Sequence, residues 1–196
     1  MISGRVSRNR HCPNDALPEQ DNHGMTPAIS FTARLDIRPL GKADAHFLFE
    51  SFQDDRLYRY IPRRPPRTIG AMAAEFSEFE AGAPDGSGET WLNWVIIRRD
   101  PRRHIGTLQA TLFADGGLWI GYMISPDAWG NGFATEAVAW LIGAVQEMFP
   151  GRQMLASVDT RNTGSIRVLE KTGFARLRTE PATIYDEVTE DHIYAR

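Results

Sequence analysis

Two hydrophobic periods run along this chain. From 132 to 149 the apolar residues Ala134, Ala137, Val138, Leu141, Val145, Met148 and Phe149 recur at spacings of three and four, which predicts one helix with a single buried face. Just before it, 118–125 (LWIGYMIS) is rich in aromatic and β-branched residues and ends at Pro126, which predicts a strand. A short strand at 154–158 follows the long helix, and Asn162 is a good N-cap for a further helix that turns Ile166 and Leu169 inward and stops at Gly173. Nearer the N-terminus, 44–52 and 68–81 read as two helices, with Thr68 as the N-cap of the second. The segment 81–89 (AGAPDGSGE) has the glycine and proline of a surface loop, and Asp100-Pro101, flanked by Arg98, Arg99, Arg102 and Arg103, looks like a solvated hairpin turn.

The join between the 118–125 strand and the long helix carries the first candidate chemistry. WGNGFATEA, residues 129–137, places Gly130 and Gly132 in a turn at the mouth of the helix. The first N–H groups of a helix have no intrahelical partner, and the helix dipole puts about half a positive charge there, so an anion is favoured. Trp129, Gly130, Asn131, Gly132, Phe133, Ala134 and Thr135 are therefore candidate phosphate-binding residues. The P-loop and dinucleotide glycine patterns are both absent, so this would be a different phosphate cradle. The two glycines would equally serve a tight strand-to-helix connection.

The second motif is VDTRNTGSIRVLEKTGF, residues 158–174. It puts Ser165 in the first turn of a helix, with its hydroxyl near the positive end of the dipole. Asn162 and Ser165 also read as plain helix caps.

Together, WGNGFATEA and NTGSIRVLEKTGF resemble the GNAT acetyltransferase superfamily, and within it the branch of the ribosomal-protein N-terminal acetyltransferases. The likeness runs from about Arg34 to the C-terminus. RLDIRPLGKADA looks like the family's first strand and helix, IGTLQATLF like its third strand, and DEVTEDHIYAR like its last. The resemblance implies an α/β fold with a mixed, mostly antiparallel sheet of six or seven strands and about four helices. It also implies acetyl-coenzyme A as co-substrate, with the first motif as its pyrophosphate loop and the second, with Asn162, as the helix beside the pantetheine arm. The family often forms homodimers.

The chemistry so implied is direct acyl transfer: a neutral amine attacks the thioester, an oxyanion develops, and the coenzyme leaves as a thiol. Backbone donors near Met123 and Ile124 are the candidates for the oxyanion. Gly121 fits a bulge or close approach where the strand splays to admit pantetheine. The tyrosine that several branches use to protonate the sulfur is replaced by Leu169, and Ser165 matches the serine of the ribosomal-protein branch, which makes it the candidate acid. The family's frequent glutamate on this strand is replaced by Trp119. If its ring faces the acceptor cavity, it suits an apolar or cationic group on the substrate. At pH 7.4 an α-amine of pKa about 7.8 is roughly a third neutral, but a lysine of pKa about 10.4 only about a thousandth. The acceptor therefore needs little deprotonation, or a base comes from elsewhere, with Glu89, Asp36, Glu75 and Glu78 as candidates and His104 read as a surface residue. The region around RLYRYIPRRPPR is expected to form a wall of the acceptor site, where Arg63, Arg64 and Arg67 would attract an anion or simply be solvated.

The main reading is N-acetylation of a primary amine, either a protein N-terminus or a small amine. The alternative from another class is an acyl-coenzyme A-binding sensor or scaffold without turnover, favoured by the missing glutamate and tyrosine. Composition adds bounds. With 196 residues, 42% hydrophobic and 24% charged, the chain suits one domain, expected at 31–196. Residues 1–30 are polar and proline-containing and read as a flexible extension. A net charge of −3 speaks against nucleic acid as a partner, and the single cysteine, Cys12, excludes an intramolecular disulfide. No metal-ligand spacing, membrane span or signal peptide is legible, so a cytoplasmic protein is the simplest reading.

Overall fold

The computed structural model describes residues 29–196. The expected flexible extension falls almost wholly on residues 1–28 and so lies outside the described residues. The described chain runs β1 (Ser30–Phe31), β2 (Leu35–Pro39), α1 (Ala45–Leu48), α2 (Ile69–Ala81), β3 (Thr90–Arg98), β4 (Arg103–Leu112), β5 (Leu118–Ile124), α3 (Phe133–Met148), β6 (Met154–Asp159), α4 (Thr163–Lys171), β7 (Ala175–Ile184) and β8 (Glu187–Ala195). The strands form one sheet in the order β1-β2-β3-β4-β5-β6-β8-β7. Only β5 and β6 pair in parallel; the other neighbours are antiparallel.

The sheet thus has eight strands rather than six or seven. One addition is the two-residue β1. Another is β7, an edge strand whose residues are mostly exposed and include Pro181, which an edge tolerates because one side of its backbone needs no ladder partner. With neither face fully buried, β7 shows no apolar alternation. The expected helix over 44–52 is also broken. Asp44 turns its carboxylate back to the Gly41 N–H, and Ser51 donates its hydroxyl to the Leu48 carbonyl, so α1 is a short segment between 3-10 turns.

Each sheet face packs its own core. On one side α3 and α4 cover Ile96, Leu108, Ile120, Tyr122 and Ala156, with Ala137, Val138, Leu141 and Val145 of α3 wholly buried. Truncating Leu141 to Ala would cost about 2–5 kcal/mol, since it leaves a cavity in that layer. On the other side α1, α2 and the segment through Leu57, Tyr58 and Ile61 cover Val95, Ile97 and Met123. Successive strand residues alternate between these faces. Trp119, Gly121 and Met123 therefore share the α1 and α2 side.

Candidate active site

β5 and β6 are parallel, so the helices that follow them, α3 and α4, begin at the same edge of the sheet. In open α/β sheets this edge is where ligands sit. Here the two strands pair only at Leu118 with Met154 and Trp119 with Leu155, and beyond those residues no pairing continues. A slot opens between them. Gly121 lies beside it without a bulge, because β4 and β5 keep an unshifted register from Leu118 to Ile124. The expected strand distortion is a divergence of strands, not an irregularity within β5.

The ladder also fixes which backbone groups face the slot. Ser125 N–H donates to the Ile105 carbonyl at 2.7 Å. In an antiparallel ladder hydrogen-bonded pairs alternate, so Met123 directs its N–H toward Thr107 of β4 and Ile124 directs its own toward the slot. Of the two expected oxyanion donors, Ile124 is the one turned to the open side. Its carbonyl accepts the indole Nε1–H of Trp129 at 2.7 Å, which ties the glycine turn to the end of β5.

The turn itself has Gly130 at φ 74° and Gly132 at φ 79°, a left-handed region that side chains with a Cβ reach only under strain. Gly132 is the N-cap of α3 and supplies no side-chain acceptor. The first helical bond runs from Glu136 N–H to the Gly132 carbonyl at 3.1 Å, so the N–H groups of Phe133, Ala134 and Thr135 have no intrahelical acceptor. Asn131 uses its Nδ2 to hold the Trp129 carbonyl at 2.9 Å. Beneath the turn lies a residue that the sequence did not single out. Arg34, from the link between β1 and β2, donates Nη1 to the Asn131 carbonyl at 2.8 Å, and its guanidinium carbon stands 4.5 Å from the Phe133 ring centre.

At the start of α4, Asn162 caps the helix by accepting the Ser165 N–H at 3.2 Å. Ser165 is buried, and its carbonyl accepts the phenol of Tyr122 at 3.3 Å, a link between β5 and α4. Burial pushes the Tyr122 phenol far above its ordinary pKa, which outweighs the bond to Ser165 and leaves a neutral donor. Gly173, at φ 87°, ends the helix, and Phe174 N–H reaches back to the Leu169 carbonyl at 3.0 Å.

Three of the four candidate bases are engaged elsewhere. Asp36 accepts Arg102 Nη1 at 2.6 Å and lies 3.7 Å from Arg99, Glu75 pairs with Arg63, and Glu89 accepts the Trp91 indole N–H at 2.8 Å. Glu78 is exposed on α2. His104 is not a surface residue: its ring stacks on Phe47 at 4.4 Å, and Nε2 lies 3.2 Å from Asp44. Nor is the arginine-rich hairpin merely solvated, since Arg99 also donates to the carbonyls of Thr32 and Ala33.

Trp119 is 8% exposed and lies on the α1 and α2 side of the sheet, the side bounded by the 59–67 segment and the β7–β8 turn. There the Arg161 guanidinium stands 5.9 Å from the Tyr60 ring centre and Arg64 stands 5.1 Å from that of Tyr185. Both contacts are of cation–π type. On the floor of this side lies Asp191 of β8, which the sequence reading passed over. Period-2 alternation in VTEDHIY puts Thr189, Asp191 and Ile193 on one face, and an acid between two buried residues is a signal for it. Burial raises the Asp191 pKa above the ordinary carboxylate value, and Asp159 and Glu180 add to this against the hydrogen bond from Ser157.

Comparison with known proteins agrees with this architecture. The family model described as an acetyltransferase (GNAT) domain matches residues 34–175. An uncharacterized N-acetyltransferase YoaA of Bacillus subtilis (strain 168) is 31% identical over 154 residues, covering 78% of this chain and 85% of that protein. Among solved structures, the ribosomal-protein-S5-alanine acetyltransferase of Vibrio fischeri superposes with a TM-score of 0.74 at 17% identity, over 87% of this chain and 96% of that one. Mycobacterium smegmatis RimJ, in complex with CoA-disulfide, gives 0.70 at 20% identity, over 83% and 81%. With a family model spanning most of its length and a relative of this identity and coverage, the chain belongs to the GNAT acetyltransferase family.

Proposed function

We propose that the protein transfers an acetyl group from acetyl-coenzyme A to a primary amine, an α-amine by preference, by direct attack on the thioester. The observation that carries this reading is the slot where β5 and β6 part, with the uncapped first turn of α3 on one side and Ser165 of α4 on the other. The coenzyme supplies an acetyl group already activated as a thioester. The N–H groups of Phe133, Ala134 and Thr135, with the turn Trp129 to Gly132, form a donor set suited to its pyrophosphate. Asn162 shapes the turn beside the pantetheine arm. The Ile124 N–H meets charge developing on the carbonyl oxygen, a role worth about 3–4 kcal/mol for one aimed donor. The Ser165 hydroxyl gives a proton to the departing sulfur. Trp119 in place of the family's glutamate favours an acceptor that is partly neutral at physiological pH. An alanine N-terminus, as in the name of the Vibrio protein, is such an acceptor, and a small α-amine is the other.

The test is thiol release from acetyl-coenzyme A across peptide N-termini, polyamines, amino sugars and amino acids, with Gly132→Asp and Ser165→Ala beside the wild type. Gly132→Asp sets a carboxylate at the pyrophosphate position and abolishes binding. Ser165→Ala keeps binding and slows turnover about 10- to 100-fold. Unaltered affinity in the first variant overturns the pyrophosphate assignment, and lost binding in the second makes Ser165 a ligand instead of an acid.

A further inference from the structure

Three carboxylates stand in a row across the last strands. The β7–β8 register sets Glu180 opposite Asp191, and the β6–β8 register sets Asp191 opposite Asp159. Directly opposed residues share a face, and like charges so placed repel. The outer two have their own cations: Arg161 donates to both oxygens of Asp159, at 2.9 and 2.8 Å, and Arg178 Nε donates to Glu180 at 2.8 Å. Asp191, in the middle, has no ion pair among the described residues and takes one side-chain hydrogen bond, from the Ser157 hydroxyl at 2.6 Å.

A second observation points at the same spot. Thr189, two residues earlier on β8 and on the same face, is 7% exposed, and its buried Oγ1 has no hydrogen-bond partner among the described residues. A carboxylate without a cation and a hydroxyl without a partner are both satisfied by one group that is positively charged and carries several N–H donors. Ser157, which holds Asp191, is the first residue of β6 on this face beyond Leu155, the last that pairs with β5. Ser157 thus lines the slot on this face, and the unsatisfied pair stands one strand behind it, on β8.

We propose that Asp191, with Thr189, receives the acceptor's ammonium group and takes the proton that must leave nitrogen before it attacks. This rests on the acetyltransferase reading above. An N–H bond breaks and an O–H bond forms on Asp191, which passes the proton to water. The freed lone pair forms the N–C bond as the C–S bond breaks. Nitrogen then loses a second proton, which balances the one that Ser165 gives to sulfur. The charged groups around Asp191 are Asp159 with Arg161 beside β6, Glu180 with Arg178 on β7, Glu187 bound to Arg161 at the hairpin turn, and Glu190 and His192 on its own strand.

The experiment is Asp191→Asn in the full chain, assayed from pH 6 to 9.5 with the best α-amine acceptor. Acetyl-coenzyme A affinity is expected to stay within about twofold and kcat/KM to fall about 100-fold at pH 7. The loss shrinks about sevenfold by pH 9.5, since about a seventh of an α-amine is neutral at pH 7 and nearly all of it at pH 9.5. Thr189→Val raises KM more than it lowers kcat. A deficit equal at every pH, or none, overturns the proposal. Thermal melting checks folding: removing an uncompensated carboxylate is expected to hold or raise Tm. If no acceptor of the panel raises thiol release by the wild type above its acceptor-free rate, the acetyltransferase reading fails by itself. Asp191 is then tested by titrating CoA-loaded protein with glycinamide. Shifts in the NMR signals of Asp191 and Thr189, with the Thr189 shift absent in Asp191→Asn, support the ammonium site, and unshifted signals overturn it.

Discussion

Arg34 and Glu136, 102 residues apart, meet at the mouth of α3: the Arg34 backbone N–H and its Nε each donate to the Glu136 carboxylate at 2.7 Å. An acid in the first turn suits the helix dipole but opposes a bound anion. Here burial works against ionisation of Glu136, yet the hydrogen bonds from Thr32 and Arg34 outweigh it and hold the carboxyl below its ordinary range. The guanidinium compensates that charge and, with the bond from Nη1 to Asn131, braces the turn. Its Nη2 would stand 3.4 Å from a Cβ added at Gly132. One arginine thus serves the helix, the turn and the local charge.

Arg34→Ala is therefore expected to weaken acetyl-coenzyme A binding about tenfold, the scale of one or two hydrogen bonds to charged groups. Arg34→Lys should restore little, because a single ammonium cannot span the Glu136 carboxylate and the Asn131 carbonyl as the planar fork does. Calorimetric titration at low and high salt checks this. Screening should bring the wild type closer to the variant as salt rises. Equal affinities at low salt would show that the turn keeps its shape without the brace.

Gly106 is the second position where the site depends on a residue outside both motifs. It pairs with Ile124, and a Cβ built on it would overlap the Met123 carbonyl oxygen and stand 3.1 Å from Ile124 Cα. Both contacts are backbone, so no rotamer change relieves them. Gly106→Ala is expected to force β4 and β5 apart, at about 3 kcal/mol or more, seen as a Tm lower by roughly 6–12 °C. Because the displaced backbone includes the Ile124 N–H, turnover at a temperature where the variant is folded should also fall. A Tm within about 2 °C of wild type would mean that the strands yield more easily than this packing implies.

What was legible in the sequence follows from where each signal is written. The strand before the glycine turn, α3, the Asn162 cap and the Gly173 stop are local patterns: period, cap and breaker lie within a few residues of each other. Arg34, Gly106 and Asp191 are not local. Arg34 gains its partner across 102 residues. Gly106 is required by the approach of a neighbouring strand, and Asp191 stands out only when the registers of β6, β7 and β8 align three acids. His104 was misread for the same reason, since Phe47 and Asp44 come from a different element. Trp119 is marked by its contrast with the family's glutamate, but a strand residue's surroundings depend on what the sheet stacks against it.

Asp44 offers a test of stability apart from the reaction. It is 1% exposed and receives Arg38 Nη1 at 2.8 Å and the Gly41 N–H at 2.9 Å, with His104 Nε2 3.2 Å away. Burial alone would raise its pKa, but the nearby His104 ring and the hydrogen bonds from Arg38 and Gly41 outweigh that and lower it to about 2. A carboxyl whose folded pKa is depressed contributes stability above its unfolded value, about 3.9, and loses it as pH falls through the folded one. The window is therefore pH 4 down to pH 2, and the contribution is about 2 kcal/mol, or roughly 4–8 °C in Tm. Asp44→Asn should melt lower than wild type at pH 7 and converge on it by pH 2, because protonation removes the same charge from the wild type. Thermal melts across pH 2–7 check this. Parallel Tm curves through the window would place the acid sensitivity at another carboxylate and make the Asp44–Arg38 contact energetically neutral.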